Sequence, residues 1–145
     1  MIAVDTNILV YAHRADSEWH QPAREAIERL ASGETLWAIP WHCIHEFLAI
    51  VTRPGIYQPP TPLEQALEQI AIWMECPSVQ SLSETASYWS ILQTVVTEGK
   101  LKGPQIHDAR IYATCLANGV RTLWSADRGF SRMKGLTVVN PCLNQ

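Results

Sequence analysis

Nothing in this sequence stays apolar long enough to cross a membrane, because Asp5, His13 and Arg14 break the first hydrophobic segment. No basic stretch precedes that segment, so a secretory leader is not expected. The four cysteines, Cys43, Cys76, Cys115 and Cys142, form no CxxC pair. They read as buried thiols of a reducing cytoplasm. Internal repeats, low-complexity tracts and linkers are lacking too, which leaves 1–145 as one expected domain. Charge is sparse, at 17% of residues against 47% hydrophobic, a balance that suits a packed core and excludes a disordered chain. Positive charge is short as well: a net −3 argues against a nucleic-acid binder.

The distribution of charge along the chain points the other way. Residues 1–98 hold four Lys/Arg and twelve Asp/Glu, whereas residues 99–145 hold seven and two. A basic final third can draw in a phosphate backbone locally, even on an acidic protein.

What is present is a run of helices separated by short strands. Ile2, Ala3 and Val4 read as a strand, and Ala23, Ala26, Ile27, Leu30 and Ala31 as a helical stripe ending at Gly33. A strand is expected at 36–40, followed by a helix at 41–52 that is apolar on most sides. Thr61-Pro62-Leu63-Glu64 predicts an N-cap, a Pro in the first turn and a capping-box Glu, with Leu63, Ala66, Leu67, Ile70, Ala71 and Met74 as the buried stripe. Further strands are expected at 78–82, 121–125 and 136–140. Helices are expected from Tyr88 to Gly99 and from Gly103-Pro104 to Asn118-Gly119. Short strands alternating with helices predict an α/β sandwich around a mainly parallel sheet, with functional groups at the carboxyl ends of strands.

Four acids do not fit the solvated helix faces that explain the others. Asp5 and Asp127 follow strands whose residues are otherwise apolar or small. Glu46 has His42, Cys43, Ala49 and Ile50 at helical spacing, and Asp108 has Pro104, Gln105, Ile111 and Tyr112, so neither helix offers a Lys or Arg. Singly, each could be a cap or turn residue. Brought together they would repel, raising at least one pKa unless a divalent cation neutralises them. An oxygen-only set favours Mg²⁺ or Mn²⁺ over zinc. Zinc is otherwise suggested only by His42, Cys43, His45 and Glu46, whose order fits neither HExxH nor HxxEH. A haloacid-dehalogenase-like phosphatase would need a second Asp where Asn7 stands.

The stretches "AVDTNILVYAHR", "HEFLAIVTRP", "IHDARIYATC" and "LWSADRGF", in this order and spacing, resemble PIN-domain ribonucleases, and within them the VapC toxins of type II toxin–antitoxin pairs. The resemblance implies a three-layer α/β/α sandwich with a mainly parallel central sheet. It implies Mg²⁺ or Mn²⁺ held by Asp5 and Asp108, by Asp127 directly or through water, and by Glu46 through a water or a second ion. Asn7 and Ser125 would orient the acids. Many relatives carry an acid at the place of Gly129, so a filled second metal position is not implied here. The reaction implied is metal-assisted hydrolysis of an RNA phosphodiester by the toxin of such a pair. Lys100, Lys102, Arg128, Arg132 and Lys134 are the candidate RNA contacts. A cognate antitoxin and a homodimer are the implied protein partners, with no membrane. Two alternatives stand beside this: a PIN nuclease for RNA processing or DNA cleavage, and a non-catalytic PIN-like binding domain.

Overall fold

A computed structural model describes residues 1–143, except that nothing is described of the Arg132 side chain. The elements follow in the order β1 (Ile2–Val4), α1 (Thr6–His13), α2 (His20–Ser32), β2 (Trp37–Pro40), α3 (Trp41–Val51), α4 (Leu63–Met74), β3 (Val79–Leu82), α5 (Tyr88–Gly99), α6 (Gln105–Ala117), β4 (Thr122–Trp124), a 3-10 helix (Arg128–Arg132) and β5 (Thr137–Val139).

The five strands form one sheet in the order β3-β2-β1-β4-β5, with every pair parallel. β1 pairs on both sides, Ile2 facing Trp37 of β2 and Thr122 of β4. The chain builds outward from β1 to β3, then returns to place β4 on the other side of β1. The carboxyl ends of β1 and β4 therefore flank the point where strand order reverses, the usual crevice of parallel α/β sheets.

The central strands are too buried to alternate. All four residues of β2 are buried, as are Ala3 and Val4, which is the mark of a sheet covered on both faces. Ile8, Leu9, Ala23, Ile27, Phe47 and Tyr112 bring helices down on it and complete a three-layer α/β/α sandwich. The edge strand β3 is half exposed.

Two local expectations fail. α4 starts at Leu63 with no side-chain cap, because the Thr61 hydroxyl is taken by His13 Nε2 and Arg14 NH1, each at 3.1 Å. Its buried residues are Ala66 and Trp73, while Leu63 and Leu67 are 60% and 49% exposed. α4 packs mainly on α3 and β3, so only part of its apolar stripe finds a partner. Helix α1, in turn, has no separate signal in the apolar spacing. It starts directly after β1 because Asp5 caps it, accepting from Thr6 N–H at 2.7 Å.

Candidate active site

Asp5 is at once the last residue before α1 and the residue that tops β1, and it is only 4% exposed. Its Oδ1 accepts from Thr6 N–H, and the Cys43 thiol points to the same oxygen at 3.7 Å. Its Oδ2 accepts from the Ser125 hydroxyl at 2.7 Å and, more weakly, from Asn7 Nδ2 at 3.4 Å. Ser125 Oγ also accepts from Asn7 Nδ2 at 3.2 Å and from Asp127 N–H at 3.0 Å, so one donor and both lone pairs are in use. Asn7 Oδ1 completes the lattice by accepting from Ala126 N–H at 3.0 Å. Contacts that span 118 and 120 positions in the chain thus fix the loop after β4 to the cap of α1.

Burial raises the pKa of Asp5; the Asp127 carboxylate adds to this, while the Ser125 and Thr6 hydrogen bonds oppose it. Asp127 caps the 3-10 helix through Gly129 N–H at 2.7 Å. Asp108, in the first turn of α6, is pushed up to about 6, first by burial, then by Asp127 and Asp5. Glu46 on α3 is raised by burial, then by Asp5 and Asp108. The four acids thus share one electrostatic neighbourhood assembled from four parts of the chain.

Glu46 does have a partner, although its helix supplies no Lys or Arg. His42, one turn earlier, places Nε2 2.7 Å from Glu46 Oε1. Burial, followed by Arg110, His107 and His45, lowers the pKa of His42, so it serves as a neutral donor. The spacing His42-x-x-x-Glu46 is the sequence signal for this pair. Cys43 faces Asp5, not His42 or Glu46, and burial holds its thiol far above the usual range. Among the described residues His42, Cys43, His45 and Glu46 form no group that could hold an ion, which leaves the zinc reading without a geometric basis.

Two observations bear on a metal. A Cβ built on Gly129 would crowd both Asp108 Oδ2 and Asp127 Oδ1 at 3.1 Å, so the lack of a side chain at Gly129 leaves those two oxygens uncovered. Thr6 Oγ1 is buried without a hydrogen-bond partner, although it faces Glu46 and Cys43 closely enough to ease their ionisation. Both fit a divalent ion with oxygen ligands. Among the described residues no three His, Cys, Asp or Glu side chains already converge on a single ion point. Both oxygens of Asp5 are already engaged, by Thr6 N–H and the Cys43 thiol on one and by Ser125 and Asn7 on the other.

The candidate RNA contacts scatter. Lys100 and Lys102 are exposed in the turn entering α6, at the same end as Asp108, and Lys100 takes a left-handed conformation there. Arg128 borders a pocket of about 600 Å³ that also reaches Ser125, Asp127 and Asn140. Lys134 lines a separate pocket with Arg121 and Glu98, toward the amino ends of β4 and β5. The side chain of Arg132 lies outside the described residues. Arg110, which the sequence did not single out, pairs with Glu84 at 3.1 Å beside the His42–Glu46 pair.

A parallel sheet whose switch point gathers four carboxylates defines a class, and comparison with known proteins names it. The PIN domain family model matches residues 2–136, and the chain belongs to that family. Ribonuclease VapC43 of Mycobacterium tuberculosis is 32% identical to it, covering 97% of this chain and 95% of its own. Ribonuclease VapC48 of the same species is 29% identical over 94% of each. Among solved structures, VapBC2 from Rickettsia felis bound to a promoter DNA fragment shares the fold, with a TM-score of 0.70 at 21% identity, covering 96% of this chain and 98% of that one. No helix among the described residues is long and apolar enough to cross a membrane.

Proposed function

We propose that this protein is an endoribonuclease dependent on Mg²⁺ or Mn²⁺, and the toxin of a type II toxin–antitoxin pair. The observation that carries the reading is the meeting of Asp5, Glu46, Asp108 and Asp127 at the strand switch point, with three of the four made harder to ionise by burial and by one another. Its relatives named as VapC ribonucleases, matched over nearly their whole length, support the activity.

Asp5, Asp108 and Asp127 would hold the ion, with Glu46 beside them. Such an ion, when bound, supplies Lewis acidity toward a phosphoryl oxygen and makes water a stronger acid. Ser125, Asn7 and the Thr6 amide fix the Asp5 carboxylate so that it need not reorganise. Glu46 Oε2, the oxygen that His42 does not take, would be the one to accept a proton from water. Lys100, Lys102 and Arg128 would carry the flanking phosphates. The antitoxin, a homodimer contact and a cytoplasmic setting belong to the same proposal.

Purified protein with Mg²⁺ or Mn²⁺ is expected to cleave single-stranded RNA and to lose this with a chelator. Asp5→Asn keeps the cap on α1 and removes the charge, so cleavage should fall more than about a hundredfold with an unchanged circular dichroism spectrum. Undiminished cleavage by that variant would overturn the site.

A further inference from the structure

Of the large aromatic residues, Trp37 and Trp73 are buried in the core, whereas Trp41 is 41% exposed at the start of α3. Its indole does not stand alone. The exposed His45 ring lies 6.4 Å away, centroid to centroid, with the two planes inclined by 35°. His45 directly precedes Glu46 on the same helix. His45 lies close enough to His42 to disfavour its charged form, and so do His107 and the permanent cation Arg110. His42 in turn touches Glu46 at 2.7 Å, and His107 adjoins Asp108. Two aromatic rings on α3 and the Arg110 guanidinium on α6 therefore lie near the His42–Glu46 pair, in a chain with a net charge of −3.

We propose that Trp41 and His45 form a stacking platform for an unpaired base of single-stranded RNA, with Arg110 meeting the adjoining phosphate. This rests on the ribonuclease reading and adds how the strand is held. Aromatic faces accept any unpaired base, but bases within a duplex are stacked on one another and cannot reach them. The half-exposed Arg110–Glu84 pair favours RNA over an apolar protein segment as the occupant, since a buried protein contact would have to desolvate both charges, whereas a phosphate can meet the exposed guanidinium in water. The platform thus selects for single-stranded regions without reading sequence.

The test is binding of a fluorescein-labelled single-stranded oligoribonucleotide, with Mg²⁺, to the Asp108→Asn protein, alone and combined with further changes. Trp41→Ala should weaken binding about tenfold, Trp41→Phe should restore most of it, and a fully paired duplex should bind poorly to all forms. In the otherwise unchanged protein, Trp41→Ala should raise KM and leave kcat nearly alone. Trp89→Ala, at a tryptophan 64% exposed on α5, should do neither. Unchanged affinity in Trp41→Ala overturns the platform, as does a change in oligomeric state with RNA affinity intact, which would make Trp41 a protein contact. Failure of the unaltered protein to cleave or bind RNA at all would instead refute the ribonuclease reading.

Discussion

At the scale of single residues, the site is a set of carboxylates held under mutual repulsion. Asp108 shows the consequence for stability. Its ordinary value is 3.8 and its folded value about 6, so between those two pH values the folded, metal-free protein binds more protons than the unfolded chain. Stability from this group therefore falls as pH rises through that window, and the deficit is complete above about pH 6. Asp108→Asn removes the deficit. In a chelator, variant and parent should melt alike near pH 4, and the variant should melt higher at pH 7. Adding Mg²⁺ should then raise the melting temperature of the parent more than that of the variant. A variant that melts lower at pH 7 without metal would contradict this account. All four acids were visible in the sequence: Glu46 and Asp108 because their helices offer no Lys or Arg at helical spacing, Asp5 and Asp127 because they follow apolar strands. The His42 bond to Glu46 was legible too, but only if a neutral histidine counts as a partner. The unpartnered Thr6 hydroxyl was not, since burial on a helix's first turn is decided by what packs over it.

At the scale of elements, each acid depends on where a strand or helix begins or ends. Asp5 and Asp127 both act as caps, which ties the position of these two carboxylates to local helix chemistry. α6 has a second hold on the site. Tyr112, one turn beyond Asp108, is fully buried; its hydroxyl donates to Met133 O at 2.7 Å and accepts from Leu136 N–H at 3.0 Å, and its ring stacks on Phe130. It clamps the 3-10 helix that carries Gly129 against the helix that carries Asp108. Tyr112→Phe should cost about 1–3 kcal/mol in urea unfolding, because it leaves a buried amide and a carbonyl without their partner. Cleavage should fall as well, through looser alignment of Asp127. Element boundaries were largely legible, since helices end at or beside Gly33, Gly99 and Asn118-Gly119, although of these glycines only Gly119 takes a positive φ, of 76°, and the left-handed turn after α5 falls on Lys100. The cap of α4 is the exception. Thr61 has the right chemistry to cap, but tertiary contact with His13 and Arg14 outcompetes the helix for its hydroxyl.

At the scale of the whole molecule, an acidic protein is asked to handle a polyanion, and its basic final third answers that demand unevenly. Lys100 and Lys102 lie at the end of α6 that bears Asp108, whereas Lys134 sits toward the opposite ends of the strands. Removing Lys102 should therefore lower the slope of log affinity against log salt by about 0.7 for single-stranded RNA, while Lys134→Ala should leave it unchanged. Equal changes for both would show that charge acts here without regard to position. The sequence by itself determined the α/β class, the alternation of helix and strand and the four acids that stand out from solvated helix faces, because apolar periodicity and the residues flanking each acid are local properties. Only the tertiary structure decided that β4 lies beside β1 and not beside β3, and this pairing brings Ser125 to Asp5 across 120 residues. Strand order is set by which buried faces fit together, a property of the packed whole. It decides the electrostatics here: carboxylates that are separate charges along the chain come to raise one another's pKa.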